Sequence, residues 1–567
     1  MVKRGRSSSG SQQVAAFLFR RDLRLIDNTG LSLLCMRVAS QSLSILPLFF
    51  FNPVQCDPER NAYFGKACFE FMCRSLRHLD DVQLGGRLVC LYGSDCDCLE
   101  SVLSAGFDIK YLGFNRDITP FARERDARLE EWCKSKGIEC VTGDTDYTLF
   151  PLNTVVTDAG KPYRVFTPFY RKVLSHHFHK LSLPDSVSVV VEDWFVDPTA
   201  KDDVRNSKPM LLPKFGDSGE SCGVRNIDLS TLSSVFPNLA DKGGRDEGLS
   251  RLARIADAIN YILERDDITG DCTTHLSPHL KFGTVSIREA MKMAVQHLGK
   301  EHCFTRQLIW REFYAMLLFH NPQLVIGQIK TFRTETNEDV DYVNQPLDTK
   351  YINFSWSWDD NAFTAFKEGK TGVPLVDASV RCVTQTGWCH NRCRMVIANF
   401  LVKVLFVDWR EGERWFATVA VDYDVPNNNG GWLWSSGQGA DPQPYFRTFN
   451  PFRQSAQHDP NAVFIKTWIP ELRQVPAKII HEWDVYCEKH RKGKKKQLTL
   501  NDSKDSKKKV SESAKLGGNT LDDINYPSPI VNLKERTKWV INQYKQHVNS
   551  LNDEKSPINA VRKCFRY

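Results

Sequence analysis

Thr386–Gln454 reads TGWCHNRCRMVIANFLVKVLFVDWREGERWFATVAVDYDVPNNNGGWLWSSGQGADPQPYFRTFNPFRQ. Trp388, Trp409, Trp415, Trp432 and Trp434 stand in it, and between them lie Asp422, Asp424, Asn427, Asn428, Asn429, Arg392, Arg394, Arg410 and Arg414. Indole is usually packing material. Here it alternates with polar groups that an apolar core would not tolerate unpaired. The combination points to a buried site for a large, flat, polar-edged cofactor rather than a plain helical core.

Working outward, the sequence is helical almost without break on the N-terminal side of this stretch. LSRLARIADAINYILER, SIREAMKMAVQHL, TRQLIWREFYAMLLFH and NRCRMVIANFLVKVLFV carry apolar residues at helical spacing, so an all-α part is expected over 231–487. Before it, residues 182–230 are rich in Pro, Ser, Asp and Gly with little periodicity and read as a linker. The first part, 13–181, alternates apolar runs with amphipathic helices: VAAFLFRRDLRLIDNTGL, SLSILPLFFF, a helical stretch to about Leu79, GGRLVCLYGS and FDIKYLGFN. That order predicts a Rossmann-like α/β domain with a parallel sheet. No G-x-G-x-x-G and no P-loop follows its first strand. The cluster Arg20, Arg21, Asp22, Leu23 and Arg24 reads as an ion-paired domain interface. Residues 1–12 read as disordered, 488–520 as a Lys-rich flexible insertion, and 521–567 as a terminal segment with a final helix.

Composition narrows the class. With 41% hydrophobic and 25% charged residues the 567-residue chain is that of an ordinary globular protein of more than one domain, aromatic-rich with 13 Trp and 34 Phe. Net charge of +7 does not by itself announce nucleic acid. No apolar run reaches membrane length, and Leu43–Phe51 suits a buried strand, so no membrane partner is expected. The 17 cysteines have no disulfide rhythm and read as reduced thiols. Cys389, His390 and Cys393 lack a second ligand pair at zinc spacing, so no metal is expected.

Tyr261 and Arg265 are four apart and share a helix face. The turn Thr273, Thr274, His275, Leu276 and Ser277 precedes another helix. Hydroxyls there are first of all caps, although the same hydroxyls and free N–H groups can hold phosphate oxygens.

The phrases FRRDLRLIDNTGL, TTHLSPHLKFGTVS, RQLIWREFY, EGKTGVPLVDASVR, TGWCHNRCRM and DYDVPNNNGGWLW together resemble the cryptochrome/photolyase family, in the expected order over nearly the whole folded chain. Within it the chain is most similar to class I cyclobutane pyrimidine dimer photolyases. The resemblance implies an N-terminal α/β domain plus a C-terminal helical domain that binds FAD. It implies that Tyr261 and Thr273 to Ser277 embrace the FAD phosphates and ribityl chain, and that Asp422 and Asp424 lie beside the ring system, with Arg394 paired to Asp422. Asn428 would face the flavin N5, where plant cryptochromes place an aspartate. Trp432, Trp409 and Trp356 match the family's electron-relay tryptophans, in order from flavin to surface.

The implied reaction is blue-light-driven splitting of cyclobutane dimers in UV-damaged DNA, a lyase reaction on a flipped-out lesion. Trp310 and Trp434 would wall the lesion pocket, Asn391, Arg392 and Met395 would line it, and Arg265 and Gln454 would contact the strand. Two departures stand out. Gln307 occupies the position of a glutamate that hydrogen-bonds the thymine carbonyls, and a glutamine can still donate that bond but cannot lend a proton. (6-4) photolyases and animal cryptochromes also carry glutamine there, but with histidines where this chain has Asn391 and Met395. Secondly, the family's folate-binding Asn-Glu pair falls on Phe121 and Ala122. A second antenna chromophore is then a deazaflavin-type ligand near Asn115 and Asp117, or none, rather than folate. The reading is a monomeric repair photolyase, in the nucleus if the lysines near 492–496 are an address; the alternatives are a cryptochrome photoreceptor and a (6-4) photolyase.

Overall fold

The computed structural model describes residues 12–41, 43–181, 195, 225–227, 229, 236–239, 241–325, 344–442, 444–490 and 524–551. Most of the expected disordered start, linker and Lys-rich insertion lie outside the described residues; Gln12 already belongs to the first strand, and 488–490 are helical. The chain divides into two compact units. The first takes the described residues of 1–260, 274–345 and 417–428, and the second those of 261–273, 346–416 and 429–567.

The first unit is built on the predicted parallel sheet. Its strands are β1 (Gln12–Phe19), β2 (Ser44–Phe51), β3 (Val89–Tyr92), β4 (Phe107–Asn115) and β5 (Glu139–Gly143), all parallel, in the order β5-β4-β1-β2-β3. From Val14 to Phe19 every residue of β1 is buried, as a strand covered on both faces requires. Val14, Ala16 and Leu18 pack on Leu99 and Val102 of α3 (Asp95–Ser104) and Leu129 of α4 (Pro120–Lys136). The alternate face serves α1 (Thr29–Val38): a Cβ on Gly113 of β4 would lie 2.8 Å from Phe17 and 2.9 Å from Leu34. Between β2 and β3 runs α2 (Lys66–His78).

Local chemistry sets these boundaries. The Asn28 side chain accepts from Leu31 N to cap α1, and Thr119 caps α4, whose first residue is Pro120. A short sixth strand, β6 (Arg225–Asn226), pairs antiparallel with β3 inside the segment read as a linker. Two residues with no apolar alternation leave no strand signal to read. Further helices of this unit include Arg245–Ala253, α5 (Phe166–Lys172), α6 (Ser277–Phe282), α7 (Ile287–Leu298) and α8 (Cys303–His320).

The second unit is helical, as expected. Among its elements are α9 (Pro374–Thr386), α10 (Asn391–Phe400), which widens into a π-turn at Leu401–Leu405, the larger parts of α11 (Trp409–Val419) and α12 (Val425–Ser436), α13 (Pro451–His458) and α14 (Leu533–Ser550). The segment leading to α14 is tied in by Asp377, which accepts from Thr371 N and Oγ1, Gly372 N and the Tyr526 hydroxyl. Gly372 has φ 74°, and a Cβ there would lie 2.4 Å from the Ser528 backbone, so only glycine fits.

One expected helix is interrupted. LSRLARIADAINYILER does not form a single helix: it breaks after Ala253 and resumes only as short turns at Ala258–Asn260 and Tyr261–Glu264. Ile259, Ile262 and Leu263 remain exposed, so the apolar period there buries nothing that would hold a longer helix.

Candidate active site

In the first unit the strand order reverses between β1 and β4, and a crevice at the carboxyl edge of such a sheet is where ligands bind in this architecture. The cavity found there has a volume of about 260 Å³. Phe49, Phe50, Tyr63, Phe64, Phe121 and Tyr423 supply aromatic walls, and Arg20, Arg21, Lys281 and Asn115 polar edges. Its arginines are clamped rather than free. Arg20 bonds Asp95 (3.1 Å) and Asp126 (2.6 Å), and Arg21 bonds Asp117 (3.1 Å) and Asp424. Arg24, almost wholly buried, meets Asp146 at 2.7 Å and the Gly283 carbonyl at 2.9 Å. The RRDLR run is therefore an ion-paired seam joining the sheet to the helical residues of the same unit. Asn115 is equally committed: its amide donates to Asp22 and Asn28, and its oxygen accepts from Gly30 N.

Asp424 belongs to this seam. Burial alone would raise its pKa, but Arg21, Arg311 and Lys281 outweigh it and bring the carboxyl down to about 2. It also accepts from Tyr147 Oη (2.8 Å) and the Asn427 amide. Asp422 is buried nearby in the chain, and Asn428 N donates to the Asp424 carbonyl at 2.8 Å.

At the start of α6, Thr274 and Leu276 are buried and His275 takes a left-handed φ of 54°. No side-chain hydrogen bond caps this helix. Capping, favoured on spacing alone, is thus not what Ser277 and its neighbours do. The uncapped N–H groups and hydroxyls, with no acid among residues 274–277, form a donor set that fits phosphate oxygens.

On α8, the Trp310 indole stacks flat on Phe166 of α5, with centroids 3.7 Å apart and 8° between planes. Phe166 thus occupies one face of the indole. Gln307, one turn earlier, donates to the Cys303 carbonyl at 3.3 Å. Glu312 on the same helix accepts from Leu149 N and Phe150 N, and burial pushes it up to about 7.

In the second unit, α10 brings Asn391 and Met395 together: the amide lies 3.7 Å from the thioether sulfur. Arg392 bonds Asp266 at 2.8 Å, and Arg394 donates to the Cys389 carbonyl while lying over the Phe416 ring. Arg265 lies 5.7 Å from the Tyr261 ring centroid, so these two share a face despite the broken helix. Thr273 belongs to this unit, whereas Thr274 to Ser277 belong to the first. Gln454 on α13 has a buried oxygen without a partner among the described residues. Trp434 is half-buried.

Trp432, Trp409 and Trp356 are strung along one short spine, residues 406–412. Trp432 is buried over Gly412, where a Cβ would come within 2.2 Å of its ring. Trp409 begins α11 at 0% exposure, and its indole N–H has no acceptor among the described residues. Trp356 is half-buried and meets the Phe406 ring at 5.3 Å. Phe406 itself has φ 62°, turning the chain between the π-turn and α11.

Sequence reasoning missed Phe166 behind Trp310 and Tyr147 beside Asp424. Both contacts are long-range, and only the aromatic excess hinted at them.

Among the described residues no cluster of His, Cys, Asp or Glu could hold a metal, and no helix is long and apolar enough to cross a membrane. Family profiles match in two places: "DNA photolyase" over residues 15–185 and "FAD binding domain of DNA photolyase" over 304–546. The deoxyribodipyrimidine photo-lyase of a Synechococcus strain is 32% identical over 82% of this chain and 89% of its own length. That of Halobacterium salinarum is 31% identical over 82% and 91%. Among solved structures, an archaeal photolyase from Sulfolobus tokodaii, crystallised with two FAD molecules, aligns with a TM-score of 0.69 and 33% identity, covering 94% of this chain and all of that one. A class III photolyase from Agrobacterium tumefaciens aligns with a TM-score of 0.71 and 25% identity, covering 97% and 100%. With the sheet, the helical unit and both profiles in register along one sequence, the chain belongs to the DNA photolyase family and carries that family's FAD-binding domain.

Proposed function

We propose that the protein is a light-driven DNA repair lyase that opens cyclobutane pyrimidine dimers. The observation that carries the reading is the Asn391–Met395 pair on α10, two neutral side chains in contact at 3.7 Å at the positions where the resemblance implies histidines in (6-4) photolyases. Following the family resemblance, Tyr261, Thr273, Thr274, His275, Leu276 and Ser277 are assigned to the FAD phosphates and ribityl chain. Asp422, Asp424, Arg394 and Asn428 are assigned to its ring system. When bound and reduced, FAD supplies the light-driven electron chemistry.

The chain's own residues then bind and orient the lesion. The Trp310 face away from Phe166 and the Trp434 ring stack on the extruded bases, which leave the duplex at lower cost because a dimer pairs poorly. The Gln307 amide is free to exchange its weak intrahelical bond for a thymine carbonyl. Arg265, Arg392 and Gln454 contact the strand, and the phosphate contacts make binding salt-sensitive.

Trp432, Trp409 and Trp356 form the relay that brings electrons inward. The buried N–H of Trp409 has nowhere to lose a proton, so an electron vacancy there moves on rather than becoming trapped. Trp409→Phe is expected to abolish light-driven reduction of the bound flavin while leaving the dark flavin spectrum intact; unchanged photoreduction contradicts the relay.

The cavity at the sheet edge is assigned to a second flat chromophore. Phe121 and Ala122 line it with apolar surface, which suits a tricyclic ring better than the charged tail of a folate. Chromatography of the chromophores released from native protein checks this: a second flavin or deazaflavin supports it, and a folate contradicts it.

A further inference from the structure

Trp539 has no part in the reading above. It lies on α14, 38% exposed, in a helix held down by the wholly buried Val540 and Tyr544. Its ring meets Phe406 edge-on at a centroid distance of 5.2 Å, and Phe406 in turn meets Trp356 at 5.3 Å. The Arg536 guanidinium sits 4.2 Å over the Trp539 ring and donates 3.0 Å bonds to the carbonyls of Val404 and Leu405. Arg536 therefore pins this indole against the outer end of the tryptophan spine.

We propose that Trp539 is the terminal station of the electron relay, reached from Trp356 across Phe406. The inference rests on the assignment of Trp432, Trp409 and Trp356 as a relay. Phe406 is too hard to oxidise to carry the vacancy itself, and it serves as the packed bridge between two indoles. Once Trp356 has lost an electron, Trp539 gives it one and becomes a radical cation. The Arg536 charge disfavours that cation, and the exposed indole releases its Nε1 proton to water, leaving a neutral radical. A soluble thiol or ascorbate-type reductant then donates a hydrogen atom, restoring Trp539 and itself becoming the radical. In all, one electron moves inward, one proton enters water, and one hydrogen atom is taken from the reductant.

Tyr544 also touches Trp356, with centroids 6.3 Å apart, but it competes poorly. Its buried hydroxyl donates to the Ser436 carbonyl at 2.9 Å, and burial pushes its pKa far up. A carbonyl is no base, so oxidation there leaves the phenolic proton without an acceptor. Trp539 faces water and has one.

The test illuminates FAD-loaded, full-length protein in air without added reductant and maps oxygen addition to tryptophan and tyrosine by peptide mass spectrometry. The expected result is light-dependent addition at Trp539 that disappears in Trp432→Phe. In Trp539→Phe the adduct moves to Trp356, and flash absorption shows the tryptophan radical decaying several-fold faster. Trp539→Tyr, which can still be oxidised, restores the slow decay. Addition at Trp356 or Tyr544 in the native protein, with decay unchanged by Trp539→Phe, overturns the proposal and leaves the three-tryptophan relay standing. Addition at Trp539 that survives Trp432→Phe marks oxidation from solvent and also overturns it. A native protein with no light-induced tryptophan radical sinks the relay and this extension together.

Discussion

The sheet edge of the first unit and the aromatic ridge of the second are held by opposite means. At the edge, Arg20, Arg21 and Arg24 are each matched by buried acids, and Arg24 also by carbonyls. Along the ridge, Phe354, Trp356, Phe406, Tyr544 and Tyr445 pack ring against ring, with centroids between 4.5 and 6.3 Å. Matched charges fix direction and tolerate no missing partner. Packed rings fix position through dispersion, and indoles among them can also give up an electron. Rigidity of the first kind suits a ligand crevice, and rigidity of the second suits a conduit.

The sharpest way to break the comparison is to remove one acid from the edge. Asp146 takes Arg24 Nη2, Arg288 Nη2 and Thr29 N, so Asp146→Ala strands a buried guanidinium. The expected loss is about 3–5 kcal/mol, read from urea unfolding. Loss well under that range would mean the seam is wetter than its burial implies.

On the ridge, Tyr544→Phe removes one hydroxyl and keeps every ring contact. It should cost only about 1 kcal/mol, the worth of one buried hydrogen bond. A cost matching the Asp146 variant would erase the distinction between the two regions.

Glu312→Gln has the smallest effect and is visible in its pH dependence. Burial raises the Glu312 carboxyl from 4.5 to about 7, so between those values the fold holds a proton that the unfolded chain has lost. The stability this gives is full below pH 4.5 and fades as pH rises through 7. Glutamine cannot titrate, and its oxygen can keep both backbone bonds that Oε1 accepts. The variant's unfolding free energy should fall less between pH 5 and pH 8 than that of the native protein; equal slopes would place the titration elsewhere.

The parallel strands were legible because β1 is buried on both faces and so reads as an unbroken apolar run, flanked by recognisable caps at Asn28 and Thr119. The helices were legible by periodicity, except where Ile259, Ile262 and Leu263 keep the period without burying it. What the sequence could not reveal is long-range pairing. Nothing near Trp310 announces Phe166, and nothing near Asp424 announces Arg21, more than 400 residues away. The proposed relay shows both sides of this limit. Spacing alone made Trp356, Trp409 and Trp432 packing material and the family resemblance made them a path, whereas Trp539 became visible only once α14 lay against Phe406.

The central claim is light-driven opening of a pyrimidine dimer by a pocket assigned to Gln307, at the position where the resemblance to dimer photolyases implies a glutamate. The direct measurement is to reduce the bound FAD, add DNA bearing one thymine dimer, and compare dimer loss under blue light and in the dark. Loss only under blue light is the result predicted, with Gln307→Glu raising the yield. No loss in the light, with flavin bound and reduced, would contradict the account and turn the same fold to photoreception.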